Sequence, residues 1–204
     1  AFHGRTLLGM TLSSKVGYKT GCGPFAPEVY RLPFPNRFLD GGDLDEAAFV
    51  TRELDRLGHA FHTMVAPGDL AAIIVEPVQG EGGLIPAPRA WIEGLRALAD
   101  EHGFLLIFDE VQSGFCRTGA WAAYEHYGVR PDLSTWAKSL GAGLPIAAVI
   151  GRAAVMDAAL PGHLYVKSAL DMACWDILGR STGMAVSELL GGRRHGDVTI
   201  QSSI

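Results

Sequence analysis

Four short apolar runs, separated by helical or turn-forming sequence, constrain the fold of this chain most strongly. They read "LAAIIV" (70–75), "FLLIF" (104–108), "LSTW" (133–136) and "LPIAAVI" (144–150). Strands that are apolar on both faces occur in sheets that are covered on both sides, and helical crossovers join such strands in parallel. The sequence therefore predicts an α/β fold with a mostly parallel sheet and flanking helices.

Helices are expected between these runs. Apolar residues at helical spacing predict one helix over 43–62 with Asp43 as its N-cap, and a second over 87–103 that ends at a glycine. The segment "WAAYEHYG" (121–128) predicts a short helix. Residues 1–40 are rich in Gly, Pro and aromatic residues, which is typical of irregular structure with short extended pieces.

Composition excludes several classes of partner. The chain has 204 residues, of which 48% are hydrophobic, enough for one domain with a core, or one domain and a fragment. A net charge of −5 argues against binding to nucleic acid or to an anionic membrane. The apolar runs are far shorter than the roughly 20 residues that span a bilayer, and the N-terminus does not resemble a secretory signal. Three widely spaced cysteines suit a reducing compartment, so we expect a soluble cytoplasmic protein.

Charged residues stand directly after three of the apolar runs. Glu76 follows the first, Asp109 and Glu110 follow the second, and Lys138 follows the third. A charge at the end of an apolar strand is costly unless it is paired or functional. In parallel sheets the carboxyl ends of the strands open into a crevice where ligands bind. These residues are therefore the first candidates for a functional site.

Asp109 and Lys138 carry a specific chemical hypothesis. A lysine at the edge of an apolar sheet can lose its proton by desolvation and react with an aldehyde. A nearby aspartate can hold the nitrogen of a pyridine ring in its protonated form, which makes the ring an electron sink. The pair therefore suits pyridoxal phosphate chemistry. From the spacing alone, a buried ion pair or two unrelated surface charges is the favoured explanation, and an active site of another kind is a further alternative.

Four longer segments occur in a fixed order along the chain. They read "AFHGRT" (1–6), "IIVEPVQGEGG" (73–83), "LLIFDEVQSGFCRTG" (105–119) and "WAKSLGAGLPIAAVIGR" (136–152). Together they resemble the class III, or ω-type, aminotransferases, and the 4-aminobutyrate aminotransferase branch in particular, over residues 1–162. The resemblance implies part of the large domain of a fold-type I enzyme, with pyridoxal 5′-phosphate as cofactor.

The resemblance implies a role for each residue that matches the cofactor site of the family. Lys138 matches the lysine that bonds to the cofactor and later moves a proton. Asp109 matches the partner of the pyridine nitrogen, Gln112 the group that contacts the ring hydroxyl, and Val111 the side chain against one face of the ring.

The remaining candidates lie near the other face of the ring and near the substrate. Phe2 occupies the position of the stacking aromatic residue, with His3 beside it. Arg5 resembles the arginine that binds a substrate carboxylate, for which a planar bidentate group is suited. Glu76 resembles the carboxylate that pairs with a second active-site arginine and selects the substrate, and Glu81 is a weaker candidate for the same neighbourhood.

The family pattern also implies partners. The substrates are an amino acid and a 2-oxo acid, and the family forms homodimers with active sites at the interface. The phosphate-binding turn and the small C-terminal domain of the family have no counterpart in this sequence, so we expect weak cofactor binding. Lys167 stands where the family has a phosphate-binding threonine.

Residues 163–204 follow a different pattern. The stretch from Tyr165 resembles the enolase superfamily, in its mandelate racemase and muconate lactonizing branch, at the point where the capping region leads into the first barrel strand. We predict a junction near Gly162 and no metal site, because the ligands of that superfamily lie on later strands. Two alternatives to an aminotransferase remain: a fragment of a metal-dependent racemase or cycloisomerase, and a chimeric chain that is non-functional or acts as an interaction module.

Overall fold

In the computed structural model of the protein, which describes residues 1–159, two long helices cover a four-stranded sheet. The strands are β1 Ala72–Val75, β2 Val78–Gln79, β3 Ile85–Pro86, β4 Leu105–Asp109, β5 Leu133–Trp136 and β6 Ala148–Gly151. The α-helices are α1 Leu7–Leu12, α2 Arg37–Asp40, α3 Glu46–Thr63, α4 Arg89–His102 and α5 Ala153–Ala159. Short 3₁₀ helices span Val16–Tyr18, Pro67–Asp69, Ala123–His126 and Lys138–Gly141.

The sheet has the strand order β1-β4-β5-β6. β1, β4 and β5 run parallel, and β6 runs antiparallel to β5. Each of these strands lies in one of the four apolar runs, and β4 and β6 extend one residue beyond theirs. The prediction of a mostly parallel sheet is confirmed. β2 and β3 form a separate two-stranded antiparallel ribbon directly after β1.

The hydrophobic core lies between the sheet and the pair α3 and α4. Phe49 from α3, Ile92 and Leu95 from α4, and Leu106 and Phe108 from β4 are almost completely buried. Burial of such side chains contributes roughly 1.5–3 kcal/mol each to folding. This packing fixes β4 at the centre of the domain and therefore fixes the position of its last residue.

The residues that cap α3 and α4 can be compared with the predicted caps. Asp45 caps α3, not the predicted Asp43, because its side chain accepts the N–H of Ala48 at 2.8 Å. The prediction placed the N-cap two residues too early, since both aspartates precede the same apolar pattern. Gly103 ends α4 as predicted, with a left-handed φ of 81° that glycine adopts without strain.

One further expectation about local structure was incomplete and another was confirmed. Residues 1–40 are not wholly irregular, because Thr6 caps the helix α1 by accepting the N–H of Gly9. This helix is too short for a periodic apolar pattern to reveal it. The short helix predicted within 121–128 is present as the 3₁₀ helix Ala123–His126.

The chain divides into two compact units, Ala1–Val155 and Met156–Ile204. The predicted junction near Gly162, the residue Lys167 and the enolase-like segment 163–204 lie outside the described residues. In the part of the chain that the structure describes, no helix is long and apolar enough to cross a membrane.

A buried aspartate links the last strands of the sheet to α4. Asp132, just before β5, accepts bonds at 2.8 Å from the N–H of Leu106 and from Arg96, and it also pairs with Arg152. Burial alone would raise the pKa of the Asp132 carboxyl, but these donors outweigh burial and leave the pKa lowered. The charged form of Asp132 therefore stabilises the fold.

We expect Asp132→Asn to lower the free energy of unfolding at neutral pH by about 2–3 kcal/mol, because charge-assisted bonds inside the fold are lost. Since the native pKa is lowered, this contribution is complete above the ordinary aspartate pKa of about 4 and disappears as the pH falls through the native value. Urea unfolding should show the gap between wild type and variant narrowing in acid.

The control variant is Asp100→Asn, which removes the exposed partner of Arg96 on the surface of α4. An exposed ion pair of this kind contributes about 0–1 kcal/mol, so the control should unfold nearly as the wild type does. A gap between Asp132→Asn and wild type that stays constant down to acid pH would contradict the assignment.

Candidate active site

The parallel strands bring the predicted residues to one edge of the sheet. Glu76 directly follows β1, Asp109 ends β4, and Lys138 lies two residues beyond β5. The register pairs Val75 with Phe108, so Glu76 and Asp109 are the next residues on neighbouring strands. The prediction that these charged groups share the carboxyl edge is confirmed.

Asp109 is the most completely bonded carboxylate at this edge. One oxygen accepts the hydroxyl of Thr135 at 3.0 Å and the N–H of Val111 at 3.1 Å. The other oxygen lies 2.8 Å from Nδ1 of His3, whose side chain is 4% exposed. A carboxylate accepts only, so this ring nitrogen carries the proton. The three donors fix the plane of the carboxylate.

Thr135 was missed by the sequence analysis. It pairs directly with Asp109 in the register of β4 and β5. Its side chain reaches Asp109 because threonine stands one residue before the end of its strand, beside the aspartate that ends the neighbouring strand. A threonine within the run "LSTW" was the available signal, but only the strand register gives it a partner.

Glu76 is bonded entirely by main-chain groups. It is 5% exposed, and its Oε1 accepts the N–H of Phe2 at 3.1 Å while its Oε2 accepts the N–H of Gly80 at 2.9 Å. Within residues 1–159 it contacts no arginine. Phe2 and His3 therefore lie across the two neighbouring carboxylates, with one residue bonded to each.

The segment that carries Phe2 and His3 is itself tied to the end of α1. The N–H of His3 donates to Oγ of Ser13 at 2.8 Å, and the N–H of Ser14 donates to the carbonyl of Ala1 at 3.0 Å. Ser13 is buried, and its own hydroxyl donates to the carbonyl of Gly9 at 2.7 Å. These bonds hold the segment in place along the edge of the sheet.

Lys138 occupies a constrained position. Its φ is +50°, in the left-handed region that costs a non-glycine residue roughly 1–3 kcal/mol. Its Nζ donates to Oε1 of Gln112, and no carboxylate pairs with it among the described residues. The loop after it is held by Arg117, which donates to Oγ of Ser139 at 2.8 Å. The lysine amine is thus bonded to a neutral group.

Glu110 differs from its neighbour Asp109 in its surroundings. It is 1% exposed, and it accepts the hydroxyl of Ser113 at 2.5 Å and the N–H of Tyr124 at 3.0 Å. Its carbonyl accepts the N–H of Gly114 at 2.9 Å. Glu110 therefore shapes the turn that carries Val111 and Gln112, and its main-chain N–H donates to the carbonyl of Thr135 at 2.9 Å.

Arg5 and Glu81 lie at the exposed side of this region. The guanidinium of Arg5 stands 4.9 Å from the ring centre of Tyr18, and the same tyrosine contacts the ring of Phe2 edge-on. Glu81 accepts a bond from Lys15 at 2.9 Å. That bond, with the charges of Lys15, Lys138 and Arg5, lowers the pKa of Glu81. Lys15 and Tyr18 carried no recognisable signal in the sequence.

A cleft of about 700 Å³ opens beside β1. Its walls are mostly apolar, and most of them come from the segment 28–40, α3 and β1, while His3 and Glu76 also line it. Asp109 and Lys138 do not line it. His3 connects the cleft to the strand-end site, because it lines the former and bonds to Asp109.

Comparison with known proteins gives one consistent family. A family model described as "Aminotransferase class-III" matches residues 1–168, and so continues past the predicted junction at Gly162. The chain is 45% identical to the "Probable 4-aminobutyrate aminotransferase" of Bacillus subtilis (strain 168), over 84% of this chain and 40% of that protein. It is 47% identical to the "5-aminovalerate aminotransferase DavT" of Pseudomonas putida, over 80% of this chain and 37% of that protein. The chain thus spans less than half the length of these relatives.

Solved structures give the same result for the fold. An (S)-enantioselective omega-transaminase from Thermomicrobium roseum superposes with a TM-score of 0.74 at 32% identity, covering 79% of this chain and 36% of that one. An amine transaminase from an uncultivated Pseudomonas species, in its PLP-bound form, gives a TM-score of 0.72 at 31% identity, with coverage of 78% and 36%. The described strands and helices therefore have the arrangement found in these transaminases.

Gly114 offers a direct test of how the site is supported. A Cβ at this position would overlap the ring of Trp136 and lie 2.9 Å from the carbonyl of Glu110. We expect Gly114→Ala to destabilise the fold by about 2 kcal/mol through overpacking. The control Gly58→Ala, inside α3 with no atom within 4 Å of its Cβ, should be stabilising by up to about 1 kcal/mol. Thermal unfolding followed by tryptophan fluorescence measures both, and equal shifts would refute this packing.

Proposed function

The chain belongs to the class-III aminotransferase family, and on that premise we propose its function. The protein transfers an amino group from an ω-amino acid to a 2-oxo acid, with pyridoxal 5′-phosphate as cofactor. A substrate of the 4-aminobutyrate type is the proposed donor, because relatives of this chain are named as 4-aminobutyrate and 5-aminovalerate aminotransferases.

The groups at the sheet edge suit this cofactor. The amine of Lys138 is bonded to a neutral amide oxygen, so no described ion pair has to break before it reacts. The carboxylate of Asp109 is buried and held in a fixed orientation by three donors, which suits it to accept a bond from a protonated ring nitrogen. When bound, pyridoxal phosphate supplies an aldehyde for an amine and a ring that accepts electrons.

Lys138 and Asp109 have the central roles in the proposed reaction. Lys138 would hold the cofactor through Nζ, and once free the same nitrogen would move a proton at the substrate carbon. Asp109 would accept a bond from the protonated ring nitrogen. Gln112, which accepts the bond from the lysine amine, would hold that amine while it is free and would orient the ring through its amide.

The other site residues are proposed to bind the substrate and to shield the cofactor ring. The side chains of Phe2 and Val111 would cover the two faces of the ring and would exclude water from them. His3 keeps Asp109 in place, and Arg5 binds a substrate carboxylate. Glu81, whose carboxylate lies among cationic groups, adjusts the charge near that substrate group.

The observation that carries this proposal is the position of Lys138. This lysine has a left-handed conformation and pairs with no carboxylate among the described residues. It follows β5, the strand next to β4, which ends at the buried Asp109. To test it, the purified chain is incubated with pyridoxal 5′-phosphate and reduced with borohydride, and the modified residue is identified by mass spectrometry. We expect modification at Lys138, and none of comparable extent in Lys138→Ala. The control Lys19→Ala removes another lysine of the same unit and should label as the wild type does.

Modification spread evenly over the lysines of the chain would contradict the proposal. Transamination itself is measured as glutamate formed from 4-aminobutyrate and 2-oxoglutarate. Because the chain spans 40% of its Bacillus relative, cofactor attachment is the primary test and turnover the second.

The aspartate gives an independent prediction. Asp109→Asn keeps the size of the side chain and removes its charge, so the affinity for pyridoxal phosphate should fall about 10- to 100-fold, the equivalent of roughly 1.5–3 kcal/mol for a charged hydrogen bond. Titration of tryptophan fluorescence with the cofactor measures this. The control Asp45→Asn exchanges one good N-cap for another on α3 and should leave the affinity unchanged. Equal affinities of Asp109→Asn and wild type would rule out the assigned role.

We also propose that the protein acts in the cytoplasm as a homodimer. Cys22 and Cys116 are free and exposed, which suits a reducing compartment. Leu7 and Leu8 of α1 are more than half exposed, close along the chain to the segment that carries Phe2. Analytical ultracentrifugation measures the proposed dimer. The racemase and chimera alternatives rest on residues beyond 159, and the family match does not favour them.

A further inference from the structure

Glu76 holds together two parts of the site that are far apart in the sequence. Its two oxygens accept one main-chain N–H from Phe2, 74 residues away, and one from Gly80, four residues away. The side chain is nearly buried and directly follows a parallel strand. A carboxylate in such a place is costly unless both oxygens are bonded, and main-chain N–H groups satisfy both here.

Each of the two bonded residues touches a different part of the site. Phe2 carries the aromatic ring that contacts Tyr18, and its main chain leads directly into His3, which bonds to Asp109. Its position along the edge of the sheet depends on the bond from its N–H to Glu76 and on the bond from the next N–H to Ser13.

Gly80 packs against Gln112, the side chain that accepts the bond from Lys138. A Cβ on Gly80 would overlap Cγ of Gln112 and lie 2.9 Å from its Cδ. The main chain at residue 80 thus forms one wall of the space that Gln112 occupies. Because Glu76 holds the N–H of Gly80, it also sets how closely that wall approaches Gln112.

We propose that Glu76 is a positioning residue. Its single carboxylate places Phe2 on one side of the site, and on the other side it places the main chain of Gly80 that packs against Gln112. This inference rests on the proposed function, since Phe2 and Gln112 are the residues that would contact the cofactor ring. It adds a role that differs from pairing with an arginine, because the bonds are to main-chain groups of the same domain.

The test uses nuclear magnetic resonance on the full chain without cofactor, with ¹⁵N-labelled Phe, Gly and Gln. Glu76→Gln keeps the size of the side chain, but its NH₂ group cannot accept a bond, so at most one of the two amides stays bonded. We expect the amide signal of Phe2 or of Gly80 to move upfield and exchange faster with solvent. The side-chain NH₂ signal of Gln112 should shift with that of Gly80.

The same variant should also bind pyridoxal phosphate about tenfold more weakly than the wild type, a factor that corresponds to 1.4 kcal/mol. The matched control is Glu125→Gln, because the exposed Glu125 also accepts a main-chain N–H, that of Ala122 at 3.2 Å. The control should alter neither the signals of Phe2 and Gly80 nor the affinity. If Glu76→Gln does not give a folded spectrum, Glu76→Asp replaces it, since the shorter carboxylate cannot reach both amides.

Unchanged signals of both Phe2 and Gly80 in these variants would overturn the inference. So would altered signals with an unchanged cofactor affinity, because the bonds would then exist without positioning anything for the ring. Failure of the wild-type chain to bind the cofactor would instead refute the proposed function. The amide signals, measured without cofactor, separate that failure from an error about Glu76.

Discussion

Two buried carboxylates at neighbouring strand ends are the constraint on which the rest of the site depends. Glu76 and Asp109 stand side by side because β1 and β4 are parallel and in register. Two negative charges this close destabilise the fold unless each has its own donors. The short segment Phe2–His3 supplies one donor to each carboxylate, which explains why residues at the start of the sequence lie at the centre of the sheet edge.

The same constraint determines how the neighbouring loops are built. Each loop must bring a hydrogen-bond donor or closely packed main chain to the carboxyl edge of the sheet, and a bulky side chain would prevent this approach. Gly80 donates its N–H to Glu76. Gly114 allows the turn after Asp109 to pack closely against the ring of Trp136. Lys138 takes a left-handed conformation at the start of its 3₁₀ helix. Main-chain strain and close packing are thus concentrated where the charged groups meet.

Much of this arrangement could be predicted from the sequence, and the rest could not, for physical reasons. The apolar runs identified the strands, and a charge after each of three runs identified Glu76, Asp109 and Lys138. Periodicity cannot reveal Thr135, because its role comes from the register between two strands. Nor does it reveal Ser13, whose contact with His3 depends on the short helix α1.

The two carboxylates also differ in a way that bears on their proposed roles. Glu76 is held by main-chain N–H groups, which keep a single protonation state at all ordinary pH values, so its surroundings are fixed. Asp109 is held partly by side chains, the ring of His3 and the hydroxyl of Thr135, which are far apart in the sequence. The donor set of Glu76 therefore suits the proposed role of holding main chain, whereas that of Asp109 joins side chains from separate parts of the site.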